Sequence, residues 1–262
     1  MTHPSTLPDR AASLPNAQTT VQLFEQLRRQ DYPDADLRRV RAACAAGLEL
    51  FAGRMHSSGK PYVAHCTAAA STLAALGARA DLVIAGLLHG AYRWGDFGSW
   101  RVFLPLERRY LRRHFGAPVE RSVFAFHMLP WNLEAISALS DRLAGLDPAS
   151  REIVLMRLVS ELDNLRSLTL LYRADAEPAR QVLKARGPIL VRMAGLLGCP
   201  ALSQALDAAV VDTLTGSVAP ELRSDLGAGA LLAPASSRLR LEAVLARAAG
   251  GALRRLRQTL KR

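Results

Sequence analysis

Val21, Leu23, Phe24 and Leu27 recur at helical spacing and predict a first helix from Thr20 that ends near Asp31-Tyr32-Pro33. A second helix runs through Leu37, Val40, Ala43, Leu48 and Phe51, with Asp34 or Asp36 as its cap and Gly53 as its stop. The polar loop His56-Ser57-Ser58-Gly59-Lys60-Pro61 leads into a helix from Tyr62 to Leu76, closed by Gly77, and Ala80 to Tyr92 starts the next. Further helical stretches are expected at 101–115, 117–128, 132–145, 149–173 and 178–214. Pro118, Pro130, Pro148 and Pro178 fall near their starts, where a missing N–H costs nothing. No segment alternates apolar and polar residues for long enough to make a strand, and no fixed-period repeat is visible. The expected fold is all-α.

The pattern also divides the chain. Residues 1–18 carry Pro4, Pro8 and Pro15 among small polar residues and read as a disordered leader. The helical domain covers 19–214. Residues 215–237, rich in Gly, Ala, Ser and Pro, read as a flexible linker, and 238–262 as a basic amphipathic helical tail. With half of its 262 residues apolar, the chain has enough material for one large core. No apolar run is long enough for a membrane span, and no secretory signal is evident. Cys44, Cys66 and Cys199 stand far apart and form no CxxC pair, which points to a reducing, cytoplasmic setting without disulfides.

The formal net charge is +11, nearly all of it from arginine. Basic runs with interleaved aromatics are missing, so a specific nucleic-acid partner is not expected. In the tail, Arg254, Arg255, Arg257, Lys261 and Arg262 alternate with Leu253, Leu256 and Leu260. Such a segment suits a protein partner or an anionic membrane surface, or simply packs on the domain.

His65 and His89 each lie on an apolar helix, with one turn between the two helices. Antiparallel packing of such neighbours would bring both imidazoles to one interior point. That arrangement suits a divalent metal, or two histidines buried as packing residues; spacing alone leaves both open. P-loop, dinucleotide-binding, nucleophile-elbow and HExxH signatures are absent from the sequence.

The segment Ser58-Gly59-Lys60-Pro61-Tyr62-Val63-Ala64-His65 resembles the SGEPY…H motif of the hydrolase domain of the RelA/SpoT stringent-response enzymes. Leu87-Leu88-His89 is similar to that family's LLHD, Phe115-Gly116-Ala117-Pro118-Val119 to its FG..V turn, and Asp163-Asn164-Leu165-Arg166-Ser167-Leu168 to its HNMRTL. The motifs stand in the same order over about 40–170. A second resemblance, SGKP…H…LLH…Y…GDFG, is to an uncharacterised family of HD-like bacterial domains. The resemblance implies an HD-domain-like multi-helix bundle with a C-terminal helical tail.

It also implies that the metal chemistry is lost. HD hydrolases hold a divalent ion with two histidines and two aspartates. His65 and His89 match the histidines, whereas Gly90 and Ser160 stand where the aspartates belong. Arg93 and Trp94 replace the Glu-Asp pair that assists water attack, and His56 replaces the arginine that packs the base; Asn164, a nucleotide contact, is retained. No cofactor is then expected, and the domain becomes a catalytically degenerate binding or regulatory module. Its nucleotide or phosphate ligand would meet His56, Lys60, Tyr62, Tyr92, Arg93 and Asn164. Arg54 and Arg101 would stand near the same pocket mouth. The alternative is a Mn- or Mg-dependent phosphohydrolase with a rearranged site of His65, His89, Asp96 and Asp163. Asp96 would curl back, and Asp163 lies one turn beyond Ser160. The plain readings of these two aspartates are a turn at Asp96 and a pair between Asp163 and Arg166 or Arg157.

Overall fold

A computed structural model describes residues 14–98, 104–173 and 175–223, and residues 231–232 through their backbone. Residues 1–13 of the expected 1–18 leader, Arg101, most of the linker and the 238–262 tail lie outside the described residues. Helix α1 spans Thr20–Arg29 and starts in a capping box, with the Thr19 hydroxyl on the Gln22 N–H and the Gln22 side chain reaching back. Helix α2, Asp34–Leu50, is capped by Pro33 and not by Asp34 or Asp36. Both aspartates instead sit in its first turn, facing the positive end of the helix dipole.

Helices α3 (Tyr62–Ala75) and α4 (Ala80–Leu88) form the centre, and nearly every residue of both is buried. Small side chains in Cys66-Thr67-Ala68-Ala69-Ala70 let neighbours approach α3 from several sides. A Cβ at Gly86 would lie 2.7 Å from Leu73 Cδ1, so the α3–α4 contact is close. Ser71 and Thr72 are buried but satisfied: Ser71 Oγ accepts from the Ala17 N–H, and Thr72 donates to the Pro15 carbonyl. Residues 14–18, expected as the end of a disordered leader, therefore lie ordered against α3, with Ala17 buried.

The helix expected over 80–92 breaks at His89-Gly90 and resumes as the short α5, Ala91–Trp94. Helices α6 (Leu104–Phe115) and α7 (Ala117–Met128) turn about Gly116 at φ 90° and are latched by Glu120. That fully buried carboxylate accepts from Arg108 and Arg112. Helix α8, Leu133–Arg142, is capped by Asn132, and α9, Pro148–Arg166, by Asp147. The stretch expected over 149–173 ends at Arg166 because Leu168 takes a left-handed φ of 50°, after which Thr169–Tyr172 form a 3-10 turn. The single stretch expected over 178–214 is two helices, α10 (Ala176–Leu196) and α11 (Pro200–Thr215). Gly198 at φ 77° and Pro200 in the first turn of α11 separate them. A two-residue pairing of β1 (Arg54–Met55) with β2 (Leu231–Leu232) adds β structure that the pattern did not predict, its second strand within the expected linker.

Candidate functional site

The loop that presents the first candidate residues closes on itself: the His56 N–H donates to the Lys60 carbonyl, and Gly59 turns at φ 82°. His56 is then fixed at both ring nitrogens. Nε2 lies 3.0 Å from Asn164 Oδ1 and Nδ1 lies 2.9 Å from Ser58 Oγ. Its ring stacks on His65 at 4.6 Å. Burial first, then the neighbouring His65, push its pKa down to about 4, so the ring is neutral.

His65 on α3 and His89 at the end of α4 do converge, with Nε2 atoms 3.2 Å apart. The Nδ1 of His65 lies 2.6 Å from Asp163 Oδ2, and the Nδ1 of His89 lies 2.7 Å from the Gly86 carbonyl. Each Nδ1 therefore donates, to the Asp163 carboxylate and to the Gly86 carbonyl, which leaves the two Nε2 atoms facing each other. Burial and His65 push His89 down to about 3. The Ser160 hydroxyl lies 3.3 Å from His65 Nε2.

Asp163 is buried, and both of its oxygens are engaged, by His65 and by the Lys60 ammonium at 2.7 Å. It pairs with neither Arg166 nor Arg157. Burial raises its pKa, but the His65 hydrogen bond and the charges of His65 and Lys60 outweigh that and hold it below the usual carboxylate range. Lys60, expected to face a ligand, is committed to Asp163 and to Gln18. Asp96 is exposed, and its carboxylate accepts the Gly98 N–H in a turn, so it does not curl back. Tyr92 points to Glu120, not to the histidines. Tyr62 packs beside Gly90: a Cβ there would lie 2.4 Å from the phenol oxygen, so the ring fills the space that a larger side chain at 90 would take.

These donors do not fit Mn²⁺ or Mg²⁺. Two imidazoles and a serine hydroxyl point at the centre, while hard ions need carboxylates that carry compensating charge. No group of three or more His, Cys, Asp or Glu side chains is arranged for a metal among the described residues. Ser160, His65 and Asp163 also stand in the order of a nucleophilic triad. Ser160 lies inside α9, however, where helix bonds consume the backbone N–H groups that an oxyanion would need.

The histidines form one end of a cleft of about 840 Å³ between α3–α5, α7, α9 and α10. Arg157, Ser160, Asn164 and Leu168 line it as one stripe of α9 and the turn after it. Arg93, Arg157, Arg173 and Arg186 also line the cleft. The Arg157 guanidinium lies 4.4 Å from the Phe126 ring centre and 5.3 Å from that of Trp131. Burial holds it below the usual arginine range; Glu161 and Tyr62 oppose this, and the charges of Arg93 and Arg186 add to it. Arg157 Nε, Arg186 Nε and Thr169 Oγ1 are buried without a hydrogen-bond partner. The sequence reading missed Arg157 and Arg186 as site residues. A charged residue inside the apolar run Ile153-Val154-Leu155-Met156-Arg157-Leu158-Val159 was the available signal for the first.

Residues 48–130 match a protein family described as a domain of unknown function, DUF6817. The chain is 30% identical over 156 residues to the probable GTP diphosphokinase RSH2, chloroplastic, of Arabidopsis thaliana. That match covers 56% of this chain and 20% of the plant protein, so the chain spans about a fifth of its relative. A solved structure, from work titled "A metazoan ortholog of SpoT hydrolyzes ppGpp and plays a role in starvation responses", aligns over 70% of this chain and 95% of its own, at 16% identity and TM-score 0.43. The helical architecture makes this an all-α protein, and its sequence is similar in part to a probable GTP diphosphokinase, with a central segment that matches a domain of unknown function.

Proposed function

We propose that the protein is a binding module for a phosphate-bearing anion, a nucleotide or an inorganic polyphosphate, and does not hydrolyse it by the metal route. The observation that carries this reading is the gathering of Arg93, Arg157, Arg173 and Arg186 on one cleft, with Glu161 and Asp175 as the carboxylates lining it. Arg173 is paired with Asp175 and Arg186 with Glu161, so the charge offered to a polyanion comes chiefly from Arg93 and Arg157, and guanidinium groups offer forked donors to phosphate oxygens. Leu165, Leu168 and Leu183 give the same cleft an apolar side against which a ring can lie. The free cysteines Cys44, Cys66 and Cys199 suit a cytoplasmic setting for such a module. No described helix is long and apolar enough to cross a membrane.

Calorimetric titration of pyrophosphate, ATP and GTP in EDTA tests the reading. Saturable binding is expected, weakened tenfold or more by Arg157→Ala, with no orthophosphate released. If no probe binds the wild type, the reading fails. The tail, proposed to meet a protein partner or an anionic membrane surface, is dispensable on this view, and deletion of 238–262 leaves the titration unchanged.

The convergence of His65 and His89 Nε2 favours a second reading, a divalent-metal phosphohydrolase acting on a hyperphosphorylated guanosine nucleotide. The donor set argues against it. Phosphate or pyrophosphate release in Mn²⁺, abolished by His65→Ala and by His89→Ala, would establish it in place of the first.

A further inference from the structure

The histidine centre contains a cation of its own. Lys60 lies at the end of the loop that holds His56, and its Nζ is 2.7 Å from Asp163 Oδ1 and 3.3 Å from Gln18 Oε1. The side chain is largely withdrawn from solvent, 20% exposed against 4% for Asp163. Gln18 belongs to the segment fastened to α3 by the Ala17–Ser71 bond, so the ammonium is held from two directions. Asp163 in turn stands behind His65, on the nitrogen opposite the one facing His89. In metal centres a carboxylate in that position raises the basicity of the ligating imidazole, and its loss commonly costs ten- to a hundredfold in metal affinity. An ammonium on the carboxylate draws that electron density away and sets a positive charge beside any arriving ion.

We propose that the Lys60 ammonium is the resident cation of this centre, neutralising Asp163 and thereby keeping a divalent metal from the paired nitrogens of His65 and His89. Gly90 and Ser160 remove carboxylate ligands; Lys60 removes the help of the carboxylate that remains. The two imidazoles persist as a buried pair. This inference does not depend on the anion-binding reading, because Lys60 is not among the residues that line the cleft.

Cobalt(II) is a suitable probe, because imidazole ligation changes its visible spectrum and its affinity can be read directly. Metal-stripped wild type is expected to bind Co²⁺ weakly. Lys60→Met, which keeps the length of the side chain and removes its charge, should bind at least tenfold tighter, and the gain should vanish in Lys60→Met/His89→Ala. Circular dichroism establishes that each variant is folded; if Lys60→Met is not, Lys60→Gln, which retains a donor to Asp163, carries the same expectation. The inference is overturned if wild type already takes up stoichiometric Co²⁺ through His65 and His89. It is equally overturned if the folded variant binds no tighter than wild type. Pyrophosphate titrations on the same samples should be unchanged by Lys60→Met. A wild type that binds neither pyrophosphate nor nucleotide would count against the anion reading alone.

Discussion

His56 and His89 show how a burial decision made by neighbouring helices becomes a property of the whole protein. Their pKa values fall from the ordinary 6.5 to about 4 and about 3, with burial as the leading cause in both. The unfolded chain takes up protons on these rings below about pH 6.5, and the folded chain does not until far lower. Stability is therefore fully present above that pH and is lost as pH falls toward the folded values, by up to ~1.4 kcal/mol per pH unit for each ring. Urea midpoints between pH 7 and pH 4 should decline accordingly, and His56→Gln should flatten part of the slope. An unchanged midpoint down to pH 4 would mean that the rings are not held neutral. The sequence allowed His65 and His89 to converge or to pack apart, and their Nε2 atoms lie 3.2 Å from each other. It could not tell that Asp163 would be claimed by Lys60, because residues 60 and 163 meet only across the α3–α9 contact.

Elements ended where the backbone geometry, not the apolar pattern, demanded it. The pattern carried α4 through Tyr92, but the chain bends at Gly90, whose missing side chain leaves room for the Tyr62 ring. Gly90→Ala places a Cβ within 2.5 Å of that buried ring and should cost about 1–3 kcal/mol, visible as a lowered melting temperature. Tyr62→Phe in the same background relieves the contact with the phenol oxygen but not with the ring carbon, so only partial recovery is expected. A Gly90→Ala variant as stable as wild type would show that Tyr62 does not fix this bend. The ends of α9 and α10 were unreadable for a related reason. Leu168 adopts a left-handed φ without being glycine, and the run joining α10 to α11 stays apolar through Leu197. Periodicity reports a buried face; it does not report where that face changes neighbour.

At the scale of the molecule, the formal charge of +11 gains meaning only where it is concentrated. Arg93 comes from α5, Arg157 from α9 and Arg186 from α10, and they meet in a cleft open to solvent. Their attraction for a phosphate anion is screened over a Debye length of ~10 Å at 0.1 M salt. Pyrophosphate affinity should therefore fall severalfold between 50 and 500 mM NaCl, as calorimetry would show; an affinity indifferent to salt would remove the arginines from the account. The sequence by itself determined the all-α class and the order of most helices, because each rests on residues close in the chain or on a repeating apolar face. The tertiary structure alone decided that Asp96 stays in its turn, that Lys60 caps Asp163, and that three separated arginines share one wall. Those outcomes depend on which helix faces come together, and spacing along one helix carries no record of its partner.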